Sequence, residues 1–413
     1  EVPQEGPRLP LNTFVYVGIV QLLGWNAVLT SSGFLDHDVF SGKQWAFLAA
    51  ITYSFGITFG QALMIRGPLP RLAFSVRWIL SVSLLSLAPM GLLCMVALTE
   101  KGALDAGVSF GVALTCVIML SLGAAIFQAS TFGLAGAADP RLSGRLMMGQ
   151  GFGGIITAVA SIATPGMATF TWLILGTALL TAAGLLVYFA RLHNHPYIRP
   201  LLEEMATDRL RPPSISSDAS GVFVQTNAVV MPTMSCANPL PMPSPRRRGR
   251  FIAADVGPQA AGVLFVFAVT FTVFPGVVNR WSGAFGLPST HFVTLLVGEF
   301  QLLDVVGRTL GGFVRKPSGK AVLAASLARV VFVPLFLGTQ RLQDSFLNSG
   351  GWKVLAMALF AFSNGFVSTL GMMLGPERVL VQEEKETAGH IMSFCLVSGI
   401  FIGSLLGLLT QLW

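Results

Sequence analysis

A carboxylate and a guanidinium four residues apart, Asp304 and Arg308, stand inside a long apolar run. On a helix that spacing stacks them on one face, and Gln301, three residues earlier, shares the stripe. The pair can neutralise itself while presenting acceptors and donors to a polar, uncharged ligand. The competing reading is an ion pair that only fixes helix packing. Charge at bilayer depth costs roughly 2.5–3.5 kcal/mol per residue on insertion scales, so a cavity-lining role is expected. Glu299 precedes Asp304 by five positions, about 140° around a helix, and is expected to point elsewhere.

Other polar groups sit within apolar runs. Trp25-Asn26 falls mid-run, away from the interfacial belt where tryptophan concentrates. An indole at that depth offers a stacking surface for an aromatic ligand; packing against the seventh apolar run is the alternative. Gln128 supplies an amide able to donate and accept. Arg329, in Ala328-Arg-Val-Val-Phe-Val-Pro, is expected near the inner end of its run, snorkelling to water or bonding carbonyls at a gate. An aromatic surface, an amide and an Asp/Arg pair suit a planar, polar, neutral ligand such as a base or nucleoside.

Two enzyme-like motifs lack their context. Gly149-Gln-Gly-Phe-Gly-Gly154 spells GxGxxG with no strand before it, so close helix packing explains its glycines better than a dinucleotide. Gly107-Val-Ser-Phe-Gly111 spells GxSxG at the start of an apolar helix, with no histidine nearby in sequence to activate Ser109. Cys94, Cys116, Cys236 and Cys395 form no CxxC pair, and no acidic or histidine cluster has metal-ligand spacing. No catalysis and no cofactor or metal are expected.

The elements that position these groups follow from composition. Of 413 residues, 53% are hydrophobic and 11% charged. Soluble domains carry about 25% charged residues, so a soluble enzyme is excluded in favour of an all-α, polytopic membrane protein. Runs of about 20 apolar residues occur at Asn12–Phe34, Gly42–Ile65, Ala73–Leu98, Ala106–Gly136, Ser143–Thr164, Ala168–Leu192, Ala254–Asn279, Ser289–Val314, Lys320–Thr339, Gly350–Leu374 and Glu386–Leu412. That makes eleven expected spans. With the N-terminus inside, 19 of the 26 Lys and Arg fall on the inner side, among them Arg66, Arg71, Arg141, Arg145, Arg315 and Lys316. The bias places the N-terminus in the cytoplasm and the C-terminus outside. Small residues four apart at Gly56/Gly60, Gly307/Gly311, Gly399/Gly403 and Gly403/Gly407 predict tight helix contacts.

A Pro- and Ser-rich stretch interrupts the runs and ends in Arg246, Arg247, Arg248 and Arg250. It divides the chain into a six-helix bundle (1–192), a disordered, basic cytoplasmic linker (193–253) and a five-helix bundle (254–413). The arginines read as a positive-inside marker or as a site for anionic lipid.

These residues resemble the equilibrative nucleoside transporter family over nearly the whole chain except the linker. The pattern is carried by Ala361-Phe-Ser-Asn-Gly, Gly375-Pro, Glu386-Thr-Ala-Gly, Asp304-Val-Val-Gly-Arg308, Ala328-Arg-Val-Val-Phe-Val-Pro-Leu, Phe274-Pro-Gly, Gln128-Ala-Ser-Thr-Phe-Gly-Leu-Ala-Gly and Ser75-Val-Arg77. The resemblance implies a 6+5 arrangement similar to the major facilitator plan, with alternating access to a central nucleoside site. Trp25 would then stack near base or sugar, Gln128 would bond the base, and Asp304 and Arg308 would address the ribose hydroxyls. Leu22, Leu29, Gln301 and Ile400 would line the cavity, and Arg77 and Glu386 would be gate charges. Gly24 stands where animal members commonly have proline, and Gln301 where they often have asparagine.

The expected function is facilitated diffusion of nucleosides, purine first and nucleobases next, through a plasma-membrane carrier working as a monomer among lipid. No nucleic acid polymer is expected as partner. The alternative is a proton-coupled symporter using Glu299, whose bland reading is a residue facing the outer vestibule.

Overall fold

The computed structural model describes residues 9–41, 43–163, 166–210, 249–314, 318–342, 344–381 and 384–410. The first group of helices is α1 Leu11–Thr30, α2 Trp45–Arg66, α3 Phe74–Glu100, α4 Ala106–Ala138, α5 Pro140–Ala163 and α6 Met167–Val187. A short α7, Arg199–Leu210, follows. The second group is α8 Gly249–Val273, α9 Ser289–Phe313, α10 Gly319–Arg341, α11 Gly350–Glu377 and α12 Lys385–Leu409. No strand occurs among the described residues.

Local chemistry sets the helix ends. Asp105 Oδ1 accepts from the backbone N–H of Gly107 at 2.7 Å and Val108 at 3.2 Å, starting α4. Those N–H groups, Val108's first, hold the Asp105 carboxyl below its ordinary value. The cap is therefore intact near neutral pH and is lost as pH falls through that lowered value. Ser318 and Ser349 cap α10 and α11 in the same way. Pro140 opens α5 where its missing N–H costs nothing. Pro334 has no N–H to give the Val330 carbonyl, and one 3-10 turn, Arg329–Val331, splits α10 into Gly319–Ala328 and Phe332–Arg341.

Among the described residues nine helices are long and apolar enough to cross a membrane. The two expected spans outside that set are α5 and α9, of 24 and 25 residues. Their length suffices, about 36 Å at 1.5 Å per residue. What lowers their hydropathy is the polar cargo: Arg141, Arg145 and Gln150 on α5, and Glu299, Gln301, Asp304 and Arg308 on α9.

α1 lies along α5, α2 and α3 lie along α4, α12 lies along α8, and α9 lies along α11. The two groups meet where α5 packs on α9 and α11, and where α12 packs on α2 and α4. Glycine makes these approaches close. A Cβ at Gly56 or Gly60 would meet Ser121 or Ala125 of α4, and one at Gly399 or Gly403 would strike the Leu264 or Ala268 carbonyl of α8. Gly307 and Gly311 press on the Phe362 and Phe366 carbonyls of α11.

The stretch expected as a linker differs at both ends. Residues 199–210 form α7, anchored by buried Ile198 and Met205 and by a 3.0 Å bond from Tyr197 Oη to the Ala138 carbonyl. α8 begins at Gly249, five residues before the expected start. Apolar side chains at Tyr197, Ile198, Leu202 and Met205 reach the core of the first group, which holds this part of the stretch in place. Residues 211–248, with Cys236, Arg246, Arg247 and Arg248, lie outside the described residues, as do Arg315 and Lys316.

Candidate functional site

Asp304 and Arg308 form the expected i,i+4 pair: Arg308 Nε donates to Asp304 Oδ2 at 2.6 Å, and both side chains are buried. The second carboxylate oxygen is also held, by Asn364 Nδ2 of α11 at 2.7 Å. Arg308 then reaches across the seam to α5, where its Nη1 meets the Met147 carbonyl and Gln150 Oε1, each at 3.3 Å. Gln150 Nε2 donates to Gln21 Oε1 of α1 at 2.9 Å, and Gln21 Nε2 donates to Thr131 Oγ1 of α4 at 3.3 Å. One hydrogen-bonded layer thus joins the two helix groups.

The glycines of Gly149-Gln-Gly-Phe-Gly-Gly154 make this seam. Gly149 and Gly153 lie against the Val15 and Ile19 carbonyls of α1. On the other flank a Cβ at Gly151 would come 3.2 Å from Arg308 Cδ, and one at Gly154 would come 2.6 Å from Gln301 Oε1. The motif lets α5 sit between α1 and α9, as helix packing predicts.

One helical turn from that layer, towards the start of α9, lie the other expected site residues. Trp25 follows Gln21 by one turn on α1, Gln128 precedes Thr131 by one turn on α4, and Gln301 precedes Asp304. Leu22, Trp25 and Leu29 share a stripe of α1 that stays partly or largely accessible, while Gln21, Leu23, Gly24, Ala27 and Val28 are buried. Ile400 of α12 is half-buried against the core. Trp25 packs on α2, where the alternative reading had the seventh run: its ring stacks on Tyr53, centroids 4.0 Å apart and 8° from parallel. That fixes one face of the indole at mid-depth. Gln128 is 1% exposed, and neither its amide nitrogen nor its oxygen has a partner among the described residues. Leaving such groups unmet costs about 1–3 kcal/mol.

Arg329 departs from its expected place. Its guanidinium is 2% exposed at the break in α10, midway along the element, and it does not snorkel. It donates to the Phe360 carbonyl at 2.9 Å, to Ser363 Oγ, and to Thr270 Oγ1 of α8 at 2.9 Å. It also lies 4.9 Å over the Phe360 ring. The 3-10 turn that places Arg329 at the break in α10 was not legible in the sequence. Towards the other end, Arg77 of α3 and Glu386 of α12 bond at 2.8 Å, with Arg77 fully buried and Glu386 Oε1 3.8 Å from His390. Each partner comes from a different helix group.

Thr270, Asn364, Gln150, Gln21 and Tyr53 escaped the reading of residues by type. The available signal was depth: each is polar or hydroxylated within an apolar run. Ser109 is buried with no partner for its hydroxyl among the described residues, so nothing there activates it.

The model of the family described as "Nucleoside transporter" matches residues 251–412. Equilibrative nucleoside transporter 1 of Mus musculus is 28% identical over 99% of this chain and 98% of its own length. Adenosine transporter 1 of Crithidia fasciculata is 24% identical over 78% of this chain and 74% of its own length. Among solved structures, the proton:xylose symporter XylE of the major facilitator superfamily is similar with TM-score 0.58, 11% identity, and coverage of 97% of this chain and 94% of that one. A bacterial homologue of the iron transporter ferroportin gives 0.59, 12%, 98% and 94%. At such identities these structures speak for the fold alone. Motifs and alignments agree: over most of its length the chain is similar to equilibrative nucleoside transporters.

Proposed function

We propose that this protein carries nucleosides across a membrane by facilitated diffusion, using eleven spans in a 6+5 arrangement whose seam faces either side in turn. The observation that carries the reading is the Asp304–Arg308 pair. Its bonds within the second group are short, 2.6 and 2.7 Å. Those from Arg308 to the first group are long, 3.3 Å each. Ligand hydroxyls can exchange for the long contacts, while the short ones persist through rocking of the bundles. Arg308 Nη2 has no hydrogen-bond partner among the described residues and is a further donor to a ribose. Trp25 stacks on the base, Gln128 bonds its edge, and Gln301, Leu22, Leu29 and Ile400 line the space between.

Arg77–Glu386 closes one end, which the basic inner loops make the cytoplasmic end. The protein then sits in the plasma membrane, N-terminus inside and C-terminus outside, and works as a monomer. Purine nucleosides are the first substrates to test, then nucleobases. In the defining experiment, Arg308→Ala reaches the membrane in normal amount and takes up no labelled adenosine. Uptake at the wild-type rate by that variant would remove the proposed site.

A further inference from the structure

Asp304 is tied to a second buried cation by a chain of side chains. Asn364 Nδ2 donates to Asp304 Oδ1 at 2.7 Å, Thr270 Oγ1 stands 2.8 Å from Asn364 Oδ1, and Arg329 Nη2 donates to Thr270 Oγ1 at 2.9 Å. The members come from α9, α11, α8 and the break in α10, and Asp304, Asn364, Thr270 and Arg329 are 4%, 2%, 2% and 2% exposed.

The direction of every bond in this chain is forced. A carboxylate beside a guanidinium at 2.6 Å only accepts, so Asn364 must turn its NH2 towards Asp304. Its oxygen then faces Thr270, whose one hydroxyl hydrogen must go there. The Val266 carbonyl also lies 2.8 Å from that hydroxyl, but a hydrogen sent there would leave two acceptors, Thr270 Oγ1 and Asn364 Oδ1, facing each other at 2.8 Å. Arg329 supplies the lone pairs of Thr270 with a donor. Removing the hydroxyl leaves Asn364 Oδ1 without its donor, so the amide that holds Asp304 is itself held at one end only.

We propose that Thr270 and Asn364, backed by Arg329, are positioning residues that fix the orientation of the Asp304 carboxylate for its ligand. They touch no ligand themselves. Gly365 adds to the fixation, because its bare Cα lets α11 rest on the Asp304 carbonyl and the Arg308 N–H. The inference rests on the nucleoside reading only for the identity of the ligand.

Two measurements test it. In proteoliposomes, Thr270→Val, which keeps shape but removes the hydroxyl, raises KM for adenosine about tenfold with Vmax little changed, on the scale of one lost hydrogen bond. Thr270→Ser restores the wild-type KM. Equal KM in Thr270→Val and wild type, or no rescue by serine, overturns the proposal. The second measurement needs no ligand: melting temperatures of Thr270→Val, Asp304→Asn and the double variant in detergent. Coupling between these two residues, which do not touch, is expected to be several degrees and to vanish in an Asn364→Leu background; additive shifts overturn the chain. Should the wild type carry no adenosine, the nucleoside reading falls while the melting cycle still decides the positioning role.

Discussion

Gln128 separates a functional from a structural account at the scale of single residues. An amide 1% exposed with both polar atoms unmet destabilises the fold by about 1–3 kcal/mol, so a shape-matched apolar side chain removes that cost. Gln128→Leu is expected to melt no lower than wild type, while KM for adenosine rises about tenfold for one lost ligand bond. A lower melting temperature with unchanged KM would make the residue structural. Ser109→Ala, by contrast, leaves uptake unchanged, since nothing activates that hydroxyl; lost uptake would revive the esterase-like motif. The Asp304–Arg308 pair was legible because both partners lie on one helix face four residues apart. Asn364, Thr270 and Gln150 were not, because their partners are 60 to 158 positions away and only the packed fold makes them neighbours.

The approach of α9 to α11 and α5 depends on absent side chains. Gly365→Ala would drive a methyl into the Asp304 carbonyl, which cannot move without its helix, so a loss of about 1–3 kcal/mol is expected from thermal unfolding. Gly176 is the control: no atom lies within 4 Å of its added Cβ, and Gly176→Ala is expected to be neutral or to stabilise α6 by about 0.5–1 kcal/mol. Similar losses in both would mean that helix packing at the seam is not special. Spacing alone revealed the small-residue stripes at Gly307/Gly311 and Gly399/Gly403. The break in α10 and the helix at 199–210 were hidden, because a run of apolar residues reads the same whether straight or bent, and α7 is too short and polar to stand out.

For the molecule as a whole, Arg77 and Glu386 link α3 to α12, and the proposed gate requires this pair to separate for that end to open. Neither is placed at the ligand site, so Arg77→Ala and Glu386→Ala are expected to change Vmax several-fold with KM less affected. The double variant should be no worse than either single one, since a pair acting as a unit is lost with its first member; additive losses would assign the residues separate roles. The all-helical membrane architecture was legible from hydropathy, whereas which helices pack on one another was not: α5, one of the least apolar of the expected spans, lies on α9 and α11, and α12 lies on α2 and α4. Facilitated diffusion by this seam has one defining signature. Proteoliposomes of the purified protein, given labelled adenosine with no ion gradient, are expected to fill until inside and outside concentrations are equal, with Trp25→Ala and Asp304→Ala inert. Accumulation above equality under an inward proton gradient, or equilibration unaffected in both variants, would contradict the account.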